Sequence, residues 1–267
     1  MNIAIQKTLL ALVLAGVLLA LWPSLAESAT TFTVNHTGDA PDRKITDMVC
    51  DTSSKSGKQC TLRAAIQESN DTPGPDTINF NIGGTASVKT ISPTSPLPPI
   101  KKAVTINGYT QPGASANNDC SSTNAVLKIE LSGANAGPSA NGLTITAADS
   151  TIKGLAINRF DGHGILVEGA RATNNSIEGN YVGTDASGNI NLGNGDDGTH
   201  IGANAGVYVK GAANNTVGGT APASRNVISA NSDSGVYIEG TAATNNKVNG
   251  NYIGTDASGT QRTWATS

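Results

Sequence analysis

Residues 164–188 read GILVEGARATNNSIEGNYVGTDASG and residues 235–259 read GVYIEGTAATNNKVNGNYIGTDASG, with 16 of 25 positions identical. A shorter copy, GVYVKGAANNTVGG, lies between them at 206–219, and a degenerate one opens with NGLTITA at 141–147. Self-similarity of this kind marks a repeat architecture, in which one copy buries its apolar face against the next. Inside each copy, apolar and polar residues alternate over short stretches bounded by Gly and Asn, the pattern of half-buried strands. Ile165, Val207 and Val236 correspond between copies, as do Val167, Val209 and Ile238. These β-branched positions are expected to form inward columns. Leu166, Tyr208 and Tyr237 alternate with them, followed by Glu168, Lys210 and Glu239, and are expected to face outward. Charges of alternating sign suit stacked strands, because like charges directly opposite one another repel.

A second strand follows Asn174-Asn175, Asn214-Asn215 and Asn245-Asn246 in the three copies. Asn tolerates a left-handed backbone and can hydrogen-bond to its own kind in a ladder along a stack. A third strand begins NYVGTD (180–185), RNVISAN (225–231) and NYIGTD (251–256). Three short strands per copy with Asn and Gly at the corners predict an all-β chain, a right-handed parallel β-helix (solenoid). A sandwich would need hairpin turns instead. The segments 186–205 and 219–224 lengthen the path between copies and should project as flanking loops, where repeat proteins often bind.

The N-terminal part is different. Thr61 to Asn70 carries helix formers, with Leu62, Ala65 and Ile66 on one face and Thr61 as N-cap. This predicts a short N-terminal capping helix for the open end of the repeat stack. Before it, Lys7 precedes an unbroken apolar run from Leu9 to Trp22, then Pro23 and small residues at Ser24-Leu25-Ala26. The run is too short to span a bilayer and suits a secretory signal peptide. The expected division is therefore a signal peptide at 1–26, a capping region at 27–100 and repeats at 101–267. The last copy stops partway, so further repeats or an anchor are expected downstream. No membrane span is expected in the mature chain.

Composition narrows the partners. There are 31 Gly, 4% aromatic and 14% charged residues, against roughly 25% charged in an average domain. A formal charge of −3 without basic runs excludes nucleic acid as a natural partner. In an exported chain Cys50 and Cys60 can close a short polar loop as a disulfide. Cys120 could then be free, pair between chains, or replace one of the two. No Cys/His spacing resembles a zinc site, and no cofactor is expected.

The stretch Cys60-Thr-Leu-Arg-Ala-Ala-Ile66, with Asn70 and the Pro-Gly-Pro-Asp-Thr-Ile-Asn-Phe run at 73–80, resembles the bacterial CSLREA domain. That domain is named for its Cys-Ser-Leu-Arg-Glu-Ala core, and β-helix repeats often follow it. The chain departs from that core at Thr61 and Ala64, so any role of the family's Glu does not carry over. The resemblance implies a secreted or cell-surface bacterial protein and no established reaction.

Asp161-Gly-His163-Gly resembles the Gly-His-Gly element of polygalacturonases, which need several clustered aspartates to protonate a glycosidic oxygen and activate water. Here Asp196 and Asp197 follow the His-containing turn and no Arg-x-Lys element comes after, so an ordinary corner is the better reading. Asp185, Asp196 and Asp197 are weak Ca²⁺ candidates, since their spacing matches no calcium loop. Tyr208 and Tyr237 could stack on sugar rings or form a structural cross-strand pair. His36 and His200 carry no readable role. The leading expectation is a non-catalytic surface or secreted protein in adhesion, scaffolding or binding of a polysaccharide or host cell-surface glycan. The alternative is a polysaccharide lyase, hydrolase or epimerase of the pectin-active β-helix type.

Overall fold

The computed structural model describes residues 29–54, 57–84, 87–195 and 204–260. The expected signal peptide at 1–26, His200 and the acidic pair Asp196-Asp197 lie outside the described residues. Strands, numbered in chain order, form three sheets, and every strand pairing is parallel.

The first sheet has seven strands in the order β1 (Thr31–Val34), β2 (Asp76–Phe80), β4 (Val104–Asn107), β7 (Thr151–Lys153), β10 (Ser176–Glu178), β13 (Thr216–Gly218) and β16 (Lys247–Asn249). The second has six: β3 (Lys89–Ile91), β5 (Ile129–Ser132), β8 (Leu155–Asn158), β11 (Tyr181–Val182), β14 (Val227–Ile228) and β17 (Tyr252–Ile253). The third has four: β6 (Leu143–Ile145), β9 (Ile165–Glu168), β12 (Ala205–Lys210) and β15 (Ser234–Glu239). Each of the last three repeat copies gives one strand to each sheet, a set called a row below. The strands alternate faces as their sequences require. Inward residues from all three sheets join the helix in one apolar cluster running from Phe32 to Ile228.

One α-helix, α1 (Leu62–Asp71), packs against β1 and β2 at the edge of the first sheet. Thr61 Oγ1 accepts from Ala64 N at 3.1 Å and satisfies one of the free amides of the first turn. Leu62, Ala64, Ala65 and Ile66 enter the shared core. Arg63 fastens the outer side, donating to both Asp39 carboxylate oxygens at 2.9 Å and to the carbonyls of Ser95 and Pro96. Glu68 is fully buried, and neither of its carboxylate oxygens has a hydrogen-bond partner.

The expected all-β right-handed parallel β-helix (solenoid) with a short capping helix is corrected by these findings. The described residues form an α/β-like arrangement of three parallel sheets with a single ten-residue α-helix among them. The helix contributes most of one face to the core instead of merely plugging an opening. The physical reason is that period-two alternation sets which face a strand buries, but says nothing of how separate sheets join or of their handedness.

Corners between the sheets are built from Asn in two roles. The first Asn of each pair takes the left-handed conformation, with φ of 58° at Asn174, 61° at Asn214 and 58° at Asn245. The second forms a ladder: Asn215 Oδ1 accepts from the Asn175 amide at 2.9 Å, and Asn246 Oδ1 accepts from the Asn215 amide at 2.8 Å. A second ladder runs through Asn180, Asn226 and Asn251, and a third links Asn194 to Asn231. Backbone groups that cannot pair within a sheet at a sharp bend are satisfied in this way.

A loop on the second-sheet side is held by residues far along the chain. Arg225 donates to the carbonyls of Asp119 and Cys120 and lies 4.6 Å over the Tyr252 ring, whose hydroxyl donates to Ser121 O at 2.8 Å. Cys50 and Cys60 are joined in a disulfide, while Cys120 is free and exposed. Among the described residues, no helix is long and apolar enough to cross a membrane.

Candidate functional site

The outer face of the third sheet gathers the residues whose alternation marked them as outward. Lys210 stands in register between Glu168 on β9 and Glu239 on β15, and Tyr208 stands between Leu166 and Tyr237. His163, on the turn before β9, meets Tyr208 edge-on with ring centroids 4.8 Å apart, and Tyr208 lies 5.2 Å from Tyr237. Three rings thus run across three successive stretches of chain. Offset and edge-on pairs of this kind are favourable beyond the area they bury.

The rings are not equally open. Tyr208 is only 8% exposed, and its hydroxyl donates to the Glu239 carboxylate. Burial, reinforced by that carboxylate, pushes the Tyr208 phenol up to about 12. Tyr237 is half-buried and offers the more accessible ring. His163 Nδ1 accepts from Ala205 N at 3.2 Å, and burial, with help from the Lys210 ammonium, holds the imidazole below its ordinary range. The ring is therefore neutral near pH 7, with Nδ1 committed as an acceptor.

Beside the rings, Thr146, Glu168, Gly169 and Lys210 line an open hollow of about 380 Å³. Lys210 forms no ion pair with either neighbouring carboxylate, unlike Arg63 with Asp39 and Arg159 with Glu130. An ammonium, a carboxylate and an aromatic ring are left facing solvent on one rigid sheet surface.

Asp161 and His163 sit two residues apart, yet their side chains have different partners. Asp161 Oδ2 accepts from the Ser139 amide, while His163 belongs to the tyrosine row. Asp185 caps its own loop, accepting from Ser187 Oγ and the amides of Asn189 and Ile190. His36 Nδ1 accepts from Gly38 N. Among the described residues no group of three His, Cys, Asp or Glu could hold a metal ion.

A polar network on the outer face of the second sheet has no counterpart in the sequence reading. Arg159 donates to Glu130 Oε1 at 3.0 Å and to Asn158 Oδ1 at 3.2 Å, while Thr90 donates to Glu130 Oε2 at 2.7 Å. Thr90 and Glu130 are register partners on β3 and β5, and Asn158 of β8 pairs in register with Ser132 of β5. These residues belong to no motif. The signal that could have found them is the register of Ile129-Glu-Leu-Ser132 beside Leu155-Ala-Ile-Asn158. No family model, curated protein or solved structure matches the chain.

Proposed function

We propose that this is an exported, secreted or cell-surface binding protein that presents the outer face of its third sheet to a glycan. The observation that carries the reading is the rigid register of Tyr208, Tyr237, Glu168, Lys210 and Glu239 across adjacent strands. A sugar offers an apolar C–H face and a rim of hydroxyls. A half-exposed tyrosine beside an unpaired ammonium and carboxylate complements both. The CSLREA resemblance supports export, as do the Cys50–Cys60 disulfide and the leader at 1–26. Asp161 and His163 serve as corner residues in this reading, since each holds a backbone amide.

Purified protein is tested for retention on immobilised polysaccharides and for product formation on pectin, pectate and alginate. The reading expects binding without turnover, and a loss of at least tenfold in affinity for Tyr237→Ala. Turnover that disappears in His163→Ala would replace the binding protein with an enzyme. Unchanged retention of Tyr237→Ala would remove the third-sheet face from the reading.

A further inference from the structure

A cleft of about 470 Å³ opens beside the turn that leads to His163, lined in part by Ala134, Gly137, Pro138, Arg159, Asp161 and Gly193. Its volume falls in the range of small-molecule sites, roughly 300–1,000 Å³. Two opposite charges converge on it and each is anchored from behind. Arg159 adopts a left-handed backbone with φ 59°, fixed by its amide donating to the carbonyls of Leu192 and Gly193, both at 3.1 Å. For a residue with a large side chain that conformation is uncommon and must be held by its surroundings. The guanidinium is tied through Nε to Asn158 and through Nη2 to Glu130, so its Nη1 edge remains to donate. Asp161 spends Oδ2 on the Ser139 amide and keeps Oδ1. The cleft thus presents a fixed donor edge and a fixed acceptor.

We propose that this cleft is a second subsite, which takes one neutral sugar unit of the glycan that the tyrosine face binds. The proposal rests on the glycan reading for the polymer and adds the place and the charge class of this unit. A vicinal diol supplies what the two groups lack: one hydroxyl donates to Asp161 Oδ1 and its neighbour accepts from Arg159 Nη1. Charge decides against a uronic acid. Glu130 neutralises Arg159 from below, so Asp161 leaves the cleft with one net negative charge. The row Glu168, Lys210 and Glu239 also sums to one negative charge. A carboxylate on the ligand would meet like charge at both places. Asp161 and His163 are separated only by Gly162, which places the cleft and the ring row within roughly 7 Å of backbone. A single oligosaccharide can span both.

The test is calorimetric titration of the folded protein with cellotetraose, mannotetraose, β-1,4-galactotetraose and tetragalacturonate. At least one neutral tetramer should bind, and tetragalacturonate should bind at least tenfold more weakly. Ala134 is exposed and takes no part in the polar network, so Ala134→Trp fills the cleft with little risk to folding, which a melt verifies. It should weaken the neutral tetramer at least tenfold, and so should Arg159→Lys, which cannot keep both anchors and the free edge. If Tyr237→Ala abolishes binding while Ala134→Trp and Arg159→Lys bind as the parent does, the cleft proposal fails and the tyrosine face stands. Tighter binding of tetragalacturonate would overturn the charge argument. If none of the tetramers binds, the glycan reading falls and takes the cleft with it.

Discussion

The middle row and the last row of the molecule carry nearly the same residues in very different surroundings. Val209 is fully buried whereas its register partner Ile238 is 38% exposed. The same holds for Val217 against Val248, at 1% and 39%, and for Ile228 against Ile253, at 0% and 46%. The strands β15, β16 and β17 each form an edge of their sheet in the described structure. Burial here is a property of having a neighbour on both sides, not of the residue. At the opposite edge of the first sheet β1 packs against α1, whose Glu68 carboxyl group is buried without a hydrogen-bond partner.

The largest effect expected from this contrast is at the inward column. Val209→Asp places a carboxylate in an apolar column with no partner, which should cost about 3–5 kcal/mol or unfold the chain. Ile238→Asp, at the same register position, can keep its charge in water and should cost about 1 kcal/mol or less. Paired chemical denaturation curves measure the difference. Equal losses would show that the last row is as enclosed as the middle one.

A smaller difference is expected at the corners. Asn215→Ala leaves the buried Asn175 amide without its acceptor, a loss of about 1–3 kcal/mol. Asn246→Ala removes the acceptor of the Asn215 amide, but Asn246 is half-exposed and water can take its place. Its cost should be about half as large. Denaturation curves in which Asn246→Ala loses as much stability as Asn215→Ala would contradict that ranking.

The third difference lies at the β1 edge and is a matter of pH. Burial, and then the nearby carboxylates Asp42 and Asp47, push Glu68 up to about 7 from an ordinary value of 4.5. Between those two values the folded chain keeps a proton that the unfolded chain has released. Stability from this group is therefore complete below about 4.5 and is lost as pH rises towards 7. Glu68→Gln cannot ionise, so the parent's melting temperature should fall relative to the variant across that window and run parallel to it above. A constant offset from pH 4 to 8 would place the ionised carboxylate in a solvated site.

Much of the repeat register was legible because stacked strands copy one another. Aligning Val207, Tyr208, Val209 and Lys210 with their counterparts was enough to place each residue in or out. The corner Asn pairs were legible for the same reason, as was the N-cap of α1 at Thr61, where a hydroxyl precedes a run of helix formers. What joins the sheets was not legible, because a strand's alternation carries no signal about the next sheet. The Glu130–Arg159–Asn158 network was hidden for a related reason. Its members lie up to 29 residues apart and meet only through the register of β5 and β8. Likewise Asp161 and His163 looked like one constellation in sequence, yet the fold gives their side chains different partners.

The clamp on the 117–124 loop has a consequence for how the chain is made. Asp119 and Cys120 reach their cation, and Ser121 its tyrosine hydroxyl, only when residues 225 and 252 are in place. A segment that emerges early during synthesis or export therefore stays unfastened until more than a hundred further residues have arrived. Contacts of such long sequence separation form late, because the intervening chain must be ordered first. Arg225 of the middle row fastens the loop first and Tyr252 of the last row second, and Cys120 stays exposed in the finished fold, so the loop is fixed without its thiol being covered.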